Sequence, residues 1–299
     1  MPLTPRRPAS TALQALLGRE DRPVLGTFLP AGFPTPSRSP SLLTELAESG
    51  ADFLEIGLPG RHAPMDGPAI ARATAQALGH GATLRLTSAV IREVTASCTA
   101  PVVVMAYWHR VLECGGATYL AGELADAGAA AILIPDLPAS ATTGWLEATE
   151  SAGLDSPALI ARDTSALDLA KRVPSVSGWV YAPVVHAPTG YQGRVDLPSF
   201  ADFSARVQSA TRLPLVAGIG VSTPDTAAQL VPYANAIAIG SPIVRALLST
   251  APGGGERHAL SVVRSFAARL RSTASHQRPD PALPPPVPPE ARSQTTLPV

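Results

Sequence analysis

The stretch ESGADFLEIG, Glu48 to Gly57, and its counterpart DAGAAAILIPD, Asp126 to Asp136, share one plan. Each runs from a polar residue through a glycine and small residues into a short run that ends at glycine or proline. Gly50 and Gly128 stand where a left-handed residue closes a helix. The runs that follow, Phe53–Ile56 and Ala131–Ile134, are too short for helices. Glu55 apart, they are apolar on both faces, so they read as strands buried in a parallel sheet.

Similar runs recur at Val24–Leu29, Val102–Met105, Ala158–Ile160, Trp179–Val184, Leu215–Ala217 and Ala236–Ile239. Helical patterns lie between them, such as Leu42, Leu43 and Leu46 before Gly50. Eight strands alternating with helices over about 250 residues predict an α/β fold, a single (β/α)8 TIM barrel. An open doubly wound sheet would need a Gly-rich nucleotide turn after its first strand, and LPAGFP, Leu29–Pro34, does not supply one. Ser10–Leu17 reads as an extra leading helix under the barrel, and Glu256–Leu270 as a closing one. Residues 1–272 are therefore expected to form the barrel domain and 273–299 a disordered Pro-rich tail. Pro279–Val299 alone holds eight of the 32 prolines.

The chain has 23 basic and 23 acidic residues among 299, hence no net charge. The basic excess of a nucleic-acid or anionic-membrane footprint is missing, so neither partner is expected. Cys98 and Cys114 make neither a disulfide framework nor a metal spacing. No run reaches membrane-spanning length, and MPLTPRRPAS lacks a signal core. A soluble, cytoplasmic protein is the expectation.

In a barrel, side chains just past the strands' carboxyl ends share one face, where barrel enzymes keep their sites. Glu55 and Asp66 fall there, eleven residues apart on either side of a stiff loop. Asp136 at the end of strand four and Tyr181 in strand six fall there too. A carboxylate in an apolar strand end is costly unless paired or functional, which marks Glu55. Asp66 alone would serve equally as a helix cap before Gly67-Pro68. Farther on, PTGYQG, AGIGVS and IGSPIV place glycines after strands six, seven and eight, where backbone can approach an anion closely. Gly190, Gly220, Gly240 and Ser241 are the candidate phosphate contacts. A Schiff-base aldolase would need a strand-end lysine, but the single lysine, Lys171, lies in a helical stretch. The six histidines show no close pair in the sequence, so no metal site is expected. Metal-free acid–base chemistry on a phosphorylated substrate remains, with no cofactor.

These residues resemble the tryptophan synthase alpha chain family. The likeness runs from about Val24 to Leu248 and rests on Glu-x-Gly-x-Pro followed by Asp-Gly-Pro-x-Ile, here Glu55 to Ile70. LPAGFP, MAYW, PDLP, PTG, GIGVS and GSPIV follow in the family's order. The resemblance implies a lyase that cleaves indole-3-glycerol phosphate to indole and glyceraldehyde 3-phosphate. It implies Glu55 as acid and base at the ring carbon, and Asp66 as acceptor of the indole N–H. Phe28, Tyr107 and Tyr181 would position the substrate, and Thr189 would hydrogen-bond Asp66 on loop closure. Between the carboxylates, however, Gly60 to Met65 replace the family's usual Phe-Ser-Asp-Pro-Leu-Ala. Tyr107-Trp108-His109-Arg110 replace Tyr-x-Asn-Pro, and Ser140 and Ala141 replace acidic residues. These are positions that face the β chain in the family. Two expectations follow: a free-standing lyase, or one paired with a divergent tryptophan synthase beta chain. A non-catalytic barrel that binds a phosphorylated ligand and acts through a partner protein is the alternative.

Overall fold

The computed structural model describes residues 8–19, 21–249 and 254–273. Eight parallel strands run β1 Val24–Pro30, β2 Phe53–Gly57, β3 Val102–Met105, β4 Ala131–Leu133, β5 Ala158–Leu159, β6 Val180–Pro183, β7 Leu215–Gly218 and β8 Ala236–Ile239. They are hydrogen-bonded in the order β4-β3-β2-β1-β8-β7-β6-β5. The seam between β4 and β5 is closed just before β5 begins, by a bridge between Ala131 and Asp155. There Asp155 donates its N–H to Ala130 at 3.1 Å and accepts from Ile132 at 3.0 Å. The expected barrel is the observed fold.

Side-chain alternation sorts the core into two shells. On β2, Phe53 points into the barrel and Leu54 and Ile56 point out toward the helices. The inner shell includes Val24, Phe53, Val103, Trp179, Tyr181 and Val216, with Leu13 and Leu17 of the leading helix beneath it. That helix spans Pro8–Leu17, close to the expected Ser10–Leu17. Its Ser10 hydroxyl and Gln14 amide donate to the buried Asp155 carboxylate, which fastens it to the seam. Gly26 makes room for the Phe53 ring, since a Cβ there would lie 2.2 Å from it.

Gly128 closes its helix in the left-handed region, φ 103°, as read from the sequence. The closing helix runs Gly254–Thr273 and carries an Arg269–Asp225 ion pair at 2.8 Å. Thr273 thus still belongs to a helix, and the rest of the expected tail lies outside the described residues. Among the described residues no helix is long and apolar enough to cross a membrane.

Candidate active site

Because β1 and β2 pair in register with Phe28 opposite Glu55, both side chains leave the sheet on one face. Two residues beyond Phe53 along β2, Glu55 sits above the inner core, near the strands' carboxyl ends. It is only 4% exposed, and its Oε1 has no hydrogen-bond partner among the described residues. Burial alone pushes its pKa up to about 8. Tyr181 is buried beside it. Burial and the neighbouring Glu55 charge both hold its phenol well above the ordinary tyrosine range. Its hydroxyl lies over Gly218, where a Cβ would come within 2.0 Å.

Asp66 does not cap the helix it precedes. That helix, Pro68–Gly79, begins at Gly67 with no side-chain cap. The Asp66 carboxylate instead accepts a hydrogen bond from Tyr107 Oη at 2.7 Å. Burial raises the Asp66 pKa, and the Tyr107 hydrogen bond works against the rise. The Tyr107 hydroxyl is raised by burial first and the Asp66 charge second.

Thr189 straps this loop in place. Its N–H donates to Met65 O at 3.0 Å, and its Oγ1 accepts from the Gly67 N–H at 2.8 Å. The hydrogen bond to Asp66 expected on loop closure is not the one made here, where the hydroxyl takes the backbone N–H of the adjacent Gly67. A Cβ on Gly67 would fall 1.7 Å from Thr189 O, so the two loops meet only because residue 67 is glycine. The stems of the strap are held in turn by Arg162, buried after β5. Its guanidinium donates to Val184 O at 2.6 Å and Ser199 Oγ at 2.5 Å, with a longer bond to Asp196 O.

All ten residues expected at the site line one cavity of about 730 Å³, counting its open mouth: Phe28, Glu55, Asp66, Tyr107, Tyr181, Thr189, Gly190, Gly220, Gly240 and Ser241. Its walls are largely apolar, with Met65, Met105, Leu133, Leu159, Ile219 and Ile239 among them. Gly190 and Gly220 hold φ of 91° and 107°, a backbone that side-chain-bearing residues rarely adopt.

Asp136, by contrast, does not line it; its carboxylate reaches back to the helix Trp108–Glu113 after β3 and accepts the Trp108 N–H at 2.7 Å. Lys171 is two-thirds exposed on an outer helix, Ala166–Arg172, next to Asp168. Although the histidines are scattered in sequence, the fold sets His62 against His109 with ring centroids 5.7 Å apart. Among the described residues no third ligand joins them to form a metal-binding group. Sequence reading missed Arg245, which lines the cavity. The available signal was its spacing of four from Ser241, one turn along the helix Ser241–Leu247.

The model of the tryptophan synthase alpha chain family matches residues 15–273. The chain belongs to the tryptophan synthase alpha chain family. It is 35% identical to the tryptophan synthase alpha chain of Mycobacterium ulcerans over 86% of this chain and 92% of that one. The Acidothermus cellulolyticus alpha chain is 39% identical, covering 76% and 84% respectively. Among solved structures, an aminoacrylate-bound tryptophan synthase from M. tuberculosis superposes with a TM-score of 0.77 at 32% identity, covering 87% of this chain and 99% of that one. The alpha-family chain is accordingly a carbon–carbon lyase acting on indole-3-glycerol phosphate, in tryptophan biosynthesis.

Proposed function

We propose that Glu55 and Asp66 divide the cleavage of indole-3-glycerol phosphate between them. Glu55, protonated at neutral pH because it is buried, donates its proton to the ring carbon that carries the glycerol chain. Asp66, fixed by Tyr107, accepts the indole N–H and stabilises the positive charge that develops on the ring. Glu55, now a carboxylate, takes the proton of the adjacent glycerol hydroxyl. The carbon–carbon bond breaks, its electron pair returns to the ring, and the hydroxyl carbon leaves as the aldehyde of glyceraldehyde 3-phosphate. Protons balance, since the one donated to carbon is replaced by the one taken from oxygen. Phe28 and Tyr181 flank the ring, and Gly190, Gly220, Gly240 and Ser241 hold the phosphate through backbone N–H groups and one hydroxyl.

The observation that carries this reading is a buried, unpaired Glu55 in the same apolar cavity as an Asp66 oriented by Tyr107. A group with a pKa near the working pH can both give and take a proton.

The catalytic unit is the barrel domain, which ends with the closing helix at Thr273, in a cytoplasmic setting, and it releases indole without a β chain. Two features support the free-standing form. Thr189 strap bonds hold the Asp66 loop within the chain itself. Gly60 and His62 of the rewritten loop pack on His109 and Arg110 of the other rewritten segment, so both changes lie in one patch. Indole release by the purified chain tests this. A steady rate alone, little changed by a tryptophan synthase beta chain, is expected; a rate that is negligible alone and rises greatly with the beta chain overturns the free-standing form.

A further inference from the structure

Among the described residues that line the cavity, Arg245 is the single cationic side chain, facing a site that already holds Glu55 and Asp66. It has no hydrogen bond or ion pair to any described residue. The cause acting on its pKa is burial, which lowers it, with no acidic neighbour raising it. Even a half-buried guanidinium without a counter-charge carries a desolvation cost, and an anionic ligand offsets it. Arg245 does lie in the last turn of its helix, where a cation is mildly favoured. That position accounts for a charge there but not for a side chain that lines the cavity.

Its location specifies the anion's end of the ligand. An ideal Cβ placed on Gly190 would lie 3.4 Å from Ser241 Oγ and 3.6 Å from Arg245 Nη1. The open space over Gly190 is therefore within reach of a hydroxyl and a guanidinium together. Carboxylates Glu55 and Asp66 belong to the loop and strand of β2, whereas Gly190, Ser241 and Arg245 follow β6 and β8. An amphiphile with an aromatic ring at one end and an anion at the other matches this division.

We propose that Arg245 is a further substrate-binding residue, its guanidinium contacting the ligand's phosphate beside Gly190 and Ser241. The proposal rests on the lyase reading above only for the identity of the rest of the substrate. A planar guanidinium can hold two phosphate oxygens at once, which a lysine at the same place cannot.

The test is calorimetric binding of glycerol 3-phosphate and, separately, inorganic phosphate to the full chain, alongside steady-state kinetics. Arg245→Met is expected to weaken glycerol 3-phosphate at least about tenfold, the scale of one charge-assisted hydrogen bond. The KM for indole-3-glycerol phosphate should rise similarly, with kcat changed less than about threefold. Arg245→Lys should fall between wild type and Arg245→Met. Inorganic phosphate competing with glycerol 3-phosphate for the same site in wild type, and losing affinity in parallel, would locate the contact on the phosphate itself. Wild-type binding should also weaken over an about tenfold rise in potassium chloride, which reads the charge without any variant. Glycerol 3-phosphate affinity unchanged in Arg245→Met and Arg245→Lys, or insensitive to salt in wild type, overturns the proposal. Glycerol 3-phosphate binding that is present in wild type and lost in Arg245→Met, in a wild type that releases no indole, would refute the division of the cleavage between Glu55 and Asp66 and leave Arg245's role standing.

Discussion

At the scale of single residues, the site depends on a carboxyl that the fold keeps protonated. Glu55→Gln keeps size and removes the acid, so indole release should fall roughly 100- to 10,000-fold, the usual worth of a positioned general acid or base. Stability should move the other way with pH. The folded chain holds the Glu55 proton more tightly than the unfolded one, with a pKa of about 8 against an ordinary 4.5. The folded state therefore has its full advantage from this group below about 4.5 and loses it as pH rises to about 8. Glu55→Gln should raise the melting temperature relative to wild type at pH 8 to 9, with the gain shrinking toward pH 5. A gain that is constant across that range would show that Glu55 is not the titrating group. The sequence exposed Glu55 because a carboxylate stood out in an apolar run. It could not show that Tyr107 rather than a helix terminus holds Asp66, nor that Arg245 faces the same cavity. Those facts depend on side chains brought together across the barrel from distant positions.

At the scale of elements, the working part is two loops joined by a strap that only glycine permits. Gly67→Ala would put a methyl at 1.7 Å from Thr189 O, so the loops must separate. Asp66 moves with its loop. A displacement of about 1 Å at a reacting group costs on the order of 100-fold, so kcat/KM should drop by about that much while the melting temperature changes little. Wild-type kinetics in Gly67→Ala would mean that the strap does not position Asp66. Arg162→Met acts one step farther out by freeing both stems of the segment Val184–Asp196. Trypsin should then cleave after Arg194, within that segment, faster than in wild type, with the rest of the barrel intact. Unchanged cleavage would assign Arg162 to the helix that follows instead. Helix ends were readable where a glycine fixes them, as at Gly128. The limits of β5 were not: only Ala158–Leu159 pair, because strand ends are set by partners the local sequence does not name.

At the scale of the whole molecule, the barrel was legible because every strand repeats the same pattern and parallel strands joined by helices close in one sense. How the ring closes was not, since β4 and β5 carry no pairing signal of their own. The structure closes it with Asp155, whose backbone bridges the seam and whose carboxylate holds Ser10 and Gln14 of the leading helix. One buried residue thus ties the floor of the barrel to its weakest junction. Asp155→Ala keeps the backbone bridge and leaves the buried Ser10 hydroxyl and the half-buried Gln14 amide without their acceptor. Losing hydrogen bonds to a charged acceptor should cost about 2–4 kcal/mol. For a chain of this size that is a fall of roughly 5–15 °C in melting temperature. The active site lies at the opposite end of the strands, so indole release per folded molecule should stay within about twofold of wild type at low temperature. A variant that melts like wild type would show that the leading helix is held by its apolar face, Leu13 and Leu17 on the inner core, and not by this carboxylate.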